Sequence, residues 1–266
     1  DNEKSKNNLT PKLSFRFNPS DMKNYTTSGN IIDANNVFTI SRFGFSDSFE
    51  AGRSLTLGLD YKKEQKKRLN NKEKKRNLDN LDNINNYFEA KLATVLRDKE
   101  EKFIPNQSSL NRTNSNIFGS IDSKLSDNFK IGYDFSLDND YNTLEYNSIN
   151  PTISINNLVT TFNFIETAGE RGDQNLLATS VDYNFDKKNS LQYRTRRNRK
   201  ISLTEYHDLV YQYKNDCLTA GIKYKKTYYS DGDLKPVENL MFTITLFPLT
   251  TYEYDADQDL KRYRDN

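Results

Sequence analysis

With 266 residues, 39 Lys and Arg against 37 Asp and Glu, and a formal charge of +2, the chain has room for one or two soluble domains or one large all-β unit, and its global charge singles out no partner, nucleic acid included. A hydrophobic fraction of 34% and a mean hydropathy of −0.92 would by themselves suggest disorder, but 17 Tyr, 16 Phe and a regular alternation of apolar residues exclude that class. A single cysteine excludes an internal disulfide, no Cys/His cluster has metal-ligand spacing, and no apolar run approaches the ~20 residues of a membrane helix, so any membrane span must be a strand.

In chain order, period-2 patterning predicts strands at 9–18, 36–44, 51–63, 87–97, 113–125, 127–137, 143–150, 153–165, 175–185, 189–197, 201–213, 216–229 and 238–247. Within 54–61, Leu55, Leu57, Leu59 and Tyr61 alternate with Ser54, Thr56, Gly58 and Asp60. Phe129, Ile131, Tyr133, Phe135 and Leu137 alternate with polar residues over 127–137. Helical periodicity is weak and confined to Leu78–Ala93. Residues 64–86 read as a charged insertion, without aromatics between Tyr61 and Tyr87, so the basic run Lys62–Arg76 is a solvated segment and not a stacking nucleic-acid arm. Asx-rich turns stand at Ser126–Asn128, Asp186–Asn189 and Lys214–Asp216, and longer links at 98–112, 138–142, 166–174 and 230–237. Counted back from the last strand, short turns and long links segregate to opposite ends, with 19–35 and 64–86 as exceptions.

Strands of about 9–13 residues exceed those of soluble sheets and match tilted bilayer spans. The predicted fold is therefore an antiparallel up-and-down transmembrane β-barrel wall of about 13 strands over 1–249, followed by a charged tail at 250–266. Asp134 and Asp182 fall on polar strand faces that would line a lumen, and Tyr87, Tyr133, Tyr183, Tyr211, Tyr213 and Tyr228 would form interfacial girdles. His207 lacks a nucleophile motif and reads as structural; no catalytic residue, cofactor or metal is expected. A soluble β-sandwich or carbohydrate-binding module is the other class, and it would need a cover for Phe129, Ile131, Phe135, Leu240 and Phe242.

Three stretches in order carry a family resemblance: NNVFTISRFGFSDSFEAGRSLTLGLDYK from Asn35, IPNQSSLNRTNSNIFGSI from Ile104, and YQYKNDCLTAGIKYKKTY from Tyr211 with a late strand ending LFPL. Together they resemble the C-terminal β-barrel of the LPS-assembly protein family LptD, also called organic solvent tolerance protein. The first carries the family's aromatic strand, an Arg and an acidic turn.

The resemblance implies a fragment, roughly the second half of a very large barrel in the outer membrane of a Gram-negative bacterium. It implies no enzyme activity, with lipopolysaccharide (LPS) and outer-membrane lipid as partners. An LptE-like lipoprotein would plug the lumen, and a periplasmic LptA-like bridge would deliver LPS through a domain preceding this chain. Cys217, at the start of the penultimate strand, would then form a disulfide with a cysteine outside this chain; otherwise it is a free thiol. The last strand, with Leu240, Phe242, Ile244, Leu246 and the terminating Pro248, would be one edge of a lateral LPS gate; otherwise it is an ordinary strand end. Arg194, Arg196, Arg197, Arg199 and Lys200 would contact LPS phosphates at the outer rim, or else form a solvated loop. A porin or passive channel is the alternative barrel function.

Overall fold

The computed structural model describes residues 5–45, 49–66, 84–229, 235–246 and 250–255. The chain is all-β, with strands β1 (Ser5–Asn18), β2 (Gly52–Lys66), β3 (Ile84–Arg97), β4 (Ile117–Ser126), β5 (Phe129–Leu137), β6 (Leu144–Ile155), β7 (Leu158–Thr167), β8 (Gln174–Asn184), β9 (Asn189–Asn198), β10 (Leu203–Lys214), β11 (Leu218–Thr227), β12 (Val237–Leu246) and β13 (Thr250–Asp255). They hydrogen-bond in sequence order as one antiparallel up-and-down sheet of 13 strands. Among the described residues, β1 neighbours only β2, and β13 only β12. No described helix is long and apolar enough to cross a membrane.

The strand count agrees with the sequence reading only because two errors cancel. Residues 36–44 are not a strand but part of the long connection 19–51. Asp33 Oδ1 accepts the Asn35 and Asn36 N–H groups at 2.7 and 2.9 Å, and the Val37 and Thr39 N–H groups turn back onto Asp33 and Asn36. These local bonds compete with strand pairing. In the other direction, Thr250–Asp255 is not a tail: Thr251, Glu253 and Asp255 alternate with Thr250, Tyr252 and Tyr254, and the segment pairs with Met241–Leu246.

Three smaller differences follow from local chemistry. The sequence breaks a strand at Pro151, whereas β6 runs through it and the turn falls at Asn156–Asn157, with Asn156 at φ 52°. Asn tolerates the left-handed region, and proline is accepted in a strand where no ladder N–H is required. The weakly helical stretch Leu78–Ala93 overlaps the first ten residues of β3, and the charged insertion narrows to 67–83, outside the described residues.

The fold divides into two units, Asp1–Ile149 with Ile165–Asp173, and Asn150–Phe164 with Gln174–Asn266. In unit 1 the register places Leu9, Leu13 and Phe15 of β1, Leu55, Leu57 and Leu59 of β2 and Leu92 and Leu96 of β3 on one face. Lys12, Ser14, Arg16, Ser54, Thr56, Asp60, Lys91 and Arg97 lie on the other.

Burial runs opposite to a soluble sheet. Leu13 and Phe15 are 72% and 67% exposed, whereas Ser54 and Thr56 are 4% and 1% exposed. The cover over the polar face is the connection 19–51, a strap whose Tyr25, Ile32, Val37 and Phe43 pack with Ala93 and Val95 of β3, Phe118 of β4 and Ile104 and Leu110 of the link 98–116. Glycines fit this arrangement on both faces. A Cβ at Gly58 would lie 2.6 Å from the strap's Phe38 ring, and one at Gly119 would collide with the Phe135 ring.

In unit 2 the ladders align Tyr183 of β8, Leu191 and Tyr193 of β9, Leu209 and Tyr211 of β10, Ile222 and Tyr224 of β11, Leu240, Phe242 and Ile244 of β12 and Tyr252 and Tyr254 of β13 on one apolar face. The turns 185–188 and 215–217 lie at one end of its strands, the links 199–202 and 228–236 at the other.

Candidate functional site

A constellation of buried charged side chains lies where the strap meets the polar face of unit 1. Glu50, at the strap's end, receives Arg42 Nε at 2.6 Å and Arg42 Nη2 at 2.5 Å, a bidentate fork. Arg97 of β3 donates Nη2 to the same carboxylate, and Arg16 of β1 approaches it at 3.4 Å. Strand alternation puts Arg16 and Arg97 on the polar face, which is why both reach the strap.

Three guanidinium groups converge on one carboxylate, so the remaining donors need other acceptors. They find backbone carbonyls: Arg16 bonds Thr39 and Ile40 O at 2.7 and 3.0 Å, Arg42 bonds Val37 O at 3.3 Å, and Arg97 bonds Leu110 and Ala51 O at 2.9 and 3.4 Å. Burial pushes the Glu50 carboxyl up, but Arg42, Arg97 and Arg16 together outweigh it and hold the group below the ordinary Glu range. The residual cavity beside the cluster, lined by Tyr25, Ile40, Ser41, Arg42, Phe43, Phe45 and Glu50, measures about 10 Å³, room for a single water at most. This arrangement is a clamp, not a ligand pocket.

A second polar network lies beyond the strap, and Arg171 and Lys91 tie the strap's middle down. Asn116 Nδ2 donates to Glu145 at 2.6 Å and to Ser136 at 3.0 Å, while Arg112 bridges Asp138 at 3.1 Å and Glu145 at 3.8 Å. Arg171, on the short turn Gly169–Arg171, donates to Ile32 O at 3.0 Å and stacks over Tyr146 at 5.2 Å. Burial lowers its pKa from the ordinary Arg value. Lys91 reaches Asn35 at 2.9 Å, and Lys12 sits 5.6 Å from the Phe38 ring centre.

Sequence reasoning singled out none of Arg16, Arg42, Glu50 and Arg97. Arg42 and Glu50 lie inside the motif quoted from Asn35, Arg42 in the predicted strand 36–44 and Glu50 in the turn between that strand and 51–63. Arg42 and Glu50 are eight residues apart, but Arg16 and Arg97 reach Glu50 across 34 and 47 residues, which leaves no local spacing to find.

The residues that the sequence did single out are scattered. Cys217 is an exposed free thiol ending the turn 215–217, whose N–H, with that of Leu218, is held by Asn215 Oδ1 at 3.0 and 2.8 Å. It precedes β11 and does not open a penultimate strand, because β13 follows β12. For the same reason Leu240, Phe242, Ile244 and Leu246 do not form a terminal edge: β12 pairs with β11 on one side and β13 on the other. Pro248 lies outside the described residues.

The basic run is split by strand alternation. Arg194 and Arg196 share the polar face with Tyr206 and Asp208, whereas Arg197 shares the opposite face with Leu177 and Thr204, and Arg199 and Lys200 enter the link 199–202. Arg196 is bonded to Glu205, the bulge residue of β10, and lies 5.4 Å from the Tyr206 ring centre. Asp182 accepts from Gln192 and, at 3.0 Å, from Ser180; Asp134 bonds Ser120. Tyr183, Tyr211 and Tyr213 lie at the short-turn end of the apolar face, but Tyr87 falls on the polar face beside Glu64 and Lys124, and Tyr133 is mid-strand. His207 Nδ1 is 2.7 Å from Tyr193 Oη. Among the described residues, no group of three His, Cys, Asp or Glu is placed to hold a metal ion. No family model matches the chain, and no curated protein matches it.

Proposed function

We propose that the chain is part of an outer-membrane β-barrel wall of the LptD kind, a passive component of LPS assembly. The observation that carries this reading is the inverted burial of unit 1, with large apolar side chains exposed on one face and Ser, Thr and Arg buried beneath a strap on the other. In water such a face would drive association; in a bilayer it is the lipid-contacting surface, while sheet pairing satisfies the backbone. The up-and-down strand order and the strand lengths support the same reading.

In this reading the strap is an inward-folded loop that narrows the lumen, with an LptE-like lipoprotein filling further space. LPS, delivered by an LptA-like bridge, leaves sideways at a seam whose edge is β13 and not β12. No residue acts catalytically. A strap clamped onto the polar face favours this plugged wall over an open porin. Cys217, exposed on a turn, stays available for a disulfide outside this chain.

Two measurements test the reading. Expressed in a Gram-negative host, the chain should fractionate with outer membranes and require detergent; a monodisperse, water-soluble monomer overturns it. In planar bilayers it should give no large steady conductance and should retain LPS through purification. A stable open-channel conductance without LPS retention would select the porin reading.

A further inference from the structure

The two ends of the apolar face of unit 2 are chemically unlike. At the short-turn end the strands present Tyr183, Leu191, Tyr211 and Tyr213, with Tyr211 Oη bonded to Asn189 at 2.6 Å. At the long-link end the same face carries cations set against rings. The Arg199 guanidinium lies 5.5 Å from the Phe164 ring centre, and Lys226 Nζ lies 5.4 Å from that of Tyr228. Between them stand Arg197, on the same face as Leu177 and Thr204, and His207, paired in register with Thr195 and Lys226. His207 is bedded between Tyr193, stacked at 6.0 Å, and Tyr228, edge-on at 5.9 Å. Lys226 is partnered by Glu238 at 2.7 Å, whereas neither Arg197 nor Arg199 forms an ion pair among the described residues.

We infer that this end is a binding site for the phosphate of a membrane lipid headgroup, with Arg197 and Arg199 as its phosphate ligands and Phe164, Tyr193 and Tyr228 as the interfacial bed. The inference rests on the reading that the apolar face contacts lipid. Three physical points carry it. A phosphate at the bilayer surface sits where apolar side chains give way to water, which is the depth at which these rings and cations meet. Guanidinium groups, planar and weakly hydrated, bind phosphate in forked geometry and stack on aromatic rings. Among the described residues the opposite end of the face lacks this pairing, so the asymmetry matches a bilayer whose leaflets carry different headgroups. Arg194 and Arg196 drop out of the phosphate site that the sequence suggested, since both lie on the polar face and Arg196 is bonded to Glu205.

The test uses the full chain reconstituted into phosphatidylcholine vesicles containing a minority of phosphatidic acid, a phosphate-terminated lipid, with enrichment of each lipid around the protein read by native mass spectrometry. The wild type should enrich phosphatidic acid. Because each basic side chain near an anionic surface contributes about fivefold, the R197Q/R199Q double variant should lose most of that preference. The R194Q/R196Q variant, on the same strand but the opposite face, should keep it. Equal loss in both variants, or preference retained in R197Q/R199Q, overturns the site. Competition by millimolar inorganic phosphate would identify a free-phosphate site and overturn the lipid assignment. Failure of the wild type to insert into vesicles at all rejects the membrane reading and the site with it. Insertion without headgroup preference rejects the site alone.

Discussion

Unit 1 and unit 2 present the same two-faced sheet, yet among the described residues only unit 1 covers its polar face with its own chain. Every buried residue among those described, from Tyr25 to Ser148, lies in unit 1, while unit 2 consists of half-buried and exposed side chains throughout. A single layer of sheet has two surfaces to satisfy, and packing against a second layer is the usual solution. Unit 1 solves half the problem with the strap, fastened where Arg16 and Arg97, far away in sequence, reach its Glu50. Unit 2 is held by its ladders and local turns, and so depends more on what lies against it.

The sharpest way to break that comparison is to remove Glu50. In E50Q the guanidinium groups of Arg42 and Arg97 stay buried without their counter-ion, and breaking such a pair from one side typically costs about 3–5 kcal/mol. The strap should become protease-sensitive between 19 and 51 while unit 2 keeps its protection; an unchanged digestion pattern would refute the clamp. Acid should act in the same direction. Because the folded-state carboxyl lies below its ordinary range, its stabilisation is complete above that range and is lost as pH falls through the depressed folded value. Strap protection should therefore decline on acidification in the wild type, and E50Q should flatten that decline.

The next largest effect probes the uncovered unit. Phe242 lies on the apolar face of β12 between Ile222 and Tyr254, and Thr243 beside it faces the other way, opposite Gly221 and Glu253. Lys on a lipid-facing position near the bilayer midplane costs about 2–4 kcal/mol, whereas a substitution on the wet face is usually within about 0.5 kcal/mol. Folding into vesicles, followed by denaturant titration, should show F242K strongly impaired and T243K close to wild type. Equal tolerance of the two would mean that lipid does not cover this face.

A smaller effect tests how closely the strap is seated. The Cβ of G58A would lie 2.6 Å from the Phe38 ring and 3.2 Å from the Leu92 carbonyl, so the ring must move, at a cost of about 1–3 kcal/mol. Strap protection should drop less than in E50Q. The double variant G58A/F38A should lose less than the sum of the two single changes, since the residues touch. Strict additivity would show that Phe38 does not rest on Gly58.

The same contrast explains what could be read from sequence. Period-2 alternation found β2, β5, β11 and β12 because each has one wet and one apolar face, as in Leu55 to Tyr61 or Phe129 to Leu137. It failed at Val37–Phe43, whose apolar residues look strand-like but fill a core under the strap while Asp33 and Asn36 turn the backbone. It also passed over Thr250–Asp255, where flanking charge hid a short alternation. The clamp was hidden for another reason. Arg16 and Arg97 are ordinary polar-face residues until the loop carrying Glu50 folds back over them, and no sequence period records that event. The basic run at 194–200 was visible as composition, but alternation and a bulge at Glu205 divide it between two faces.

The smallest predicted effect lies in the turn 185–188 of unit 2, where order is local. Asp186 Oδ1 accepts the N–H groups of Lys188 and Asn189 at 2.6 and 2.8 Å, and Oδ2 accepts Asn189 Nδ2 at 2.8 Å. The Lys188 and Asn189 donors hold this exposed carboxyl below the ordinary Asp range. Its contribution is therefore full above that range and fades as pH falls through the depressed folded value. Amide exchange at Lys188 and Asn189, corrected for intrinsic rates, should quicken as the carboxyl protonates. D186N keeps a neutral acceptor and should remove the pH dependence, while D186A should expose both amides at every pH. Neither variant should alter digestion of the strap. If the strap responded, the two units would share more of their stability than their separate modes of support imply.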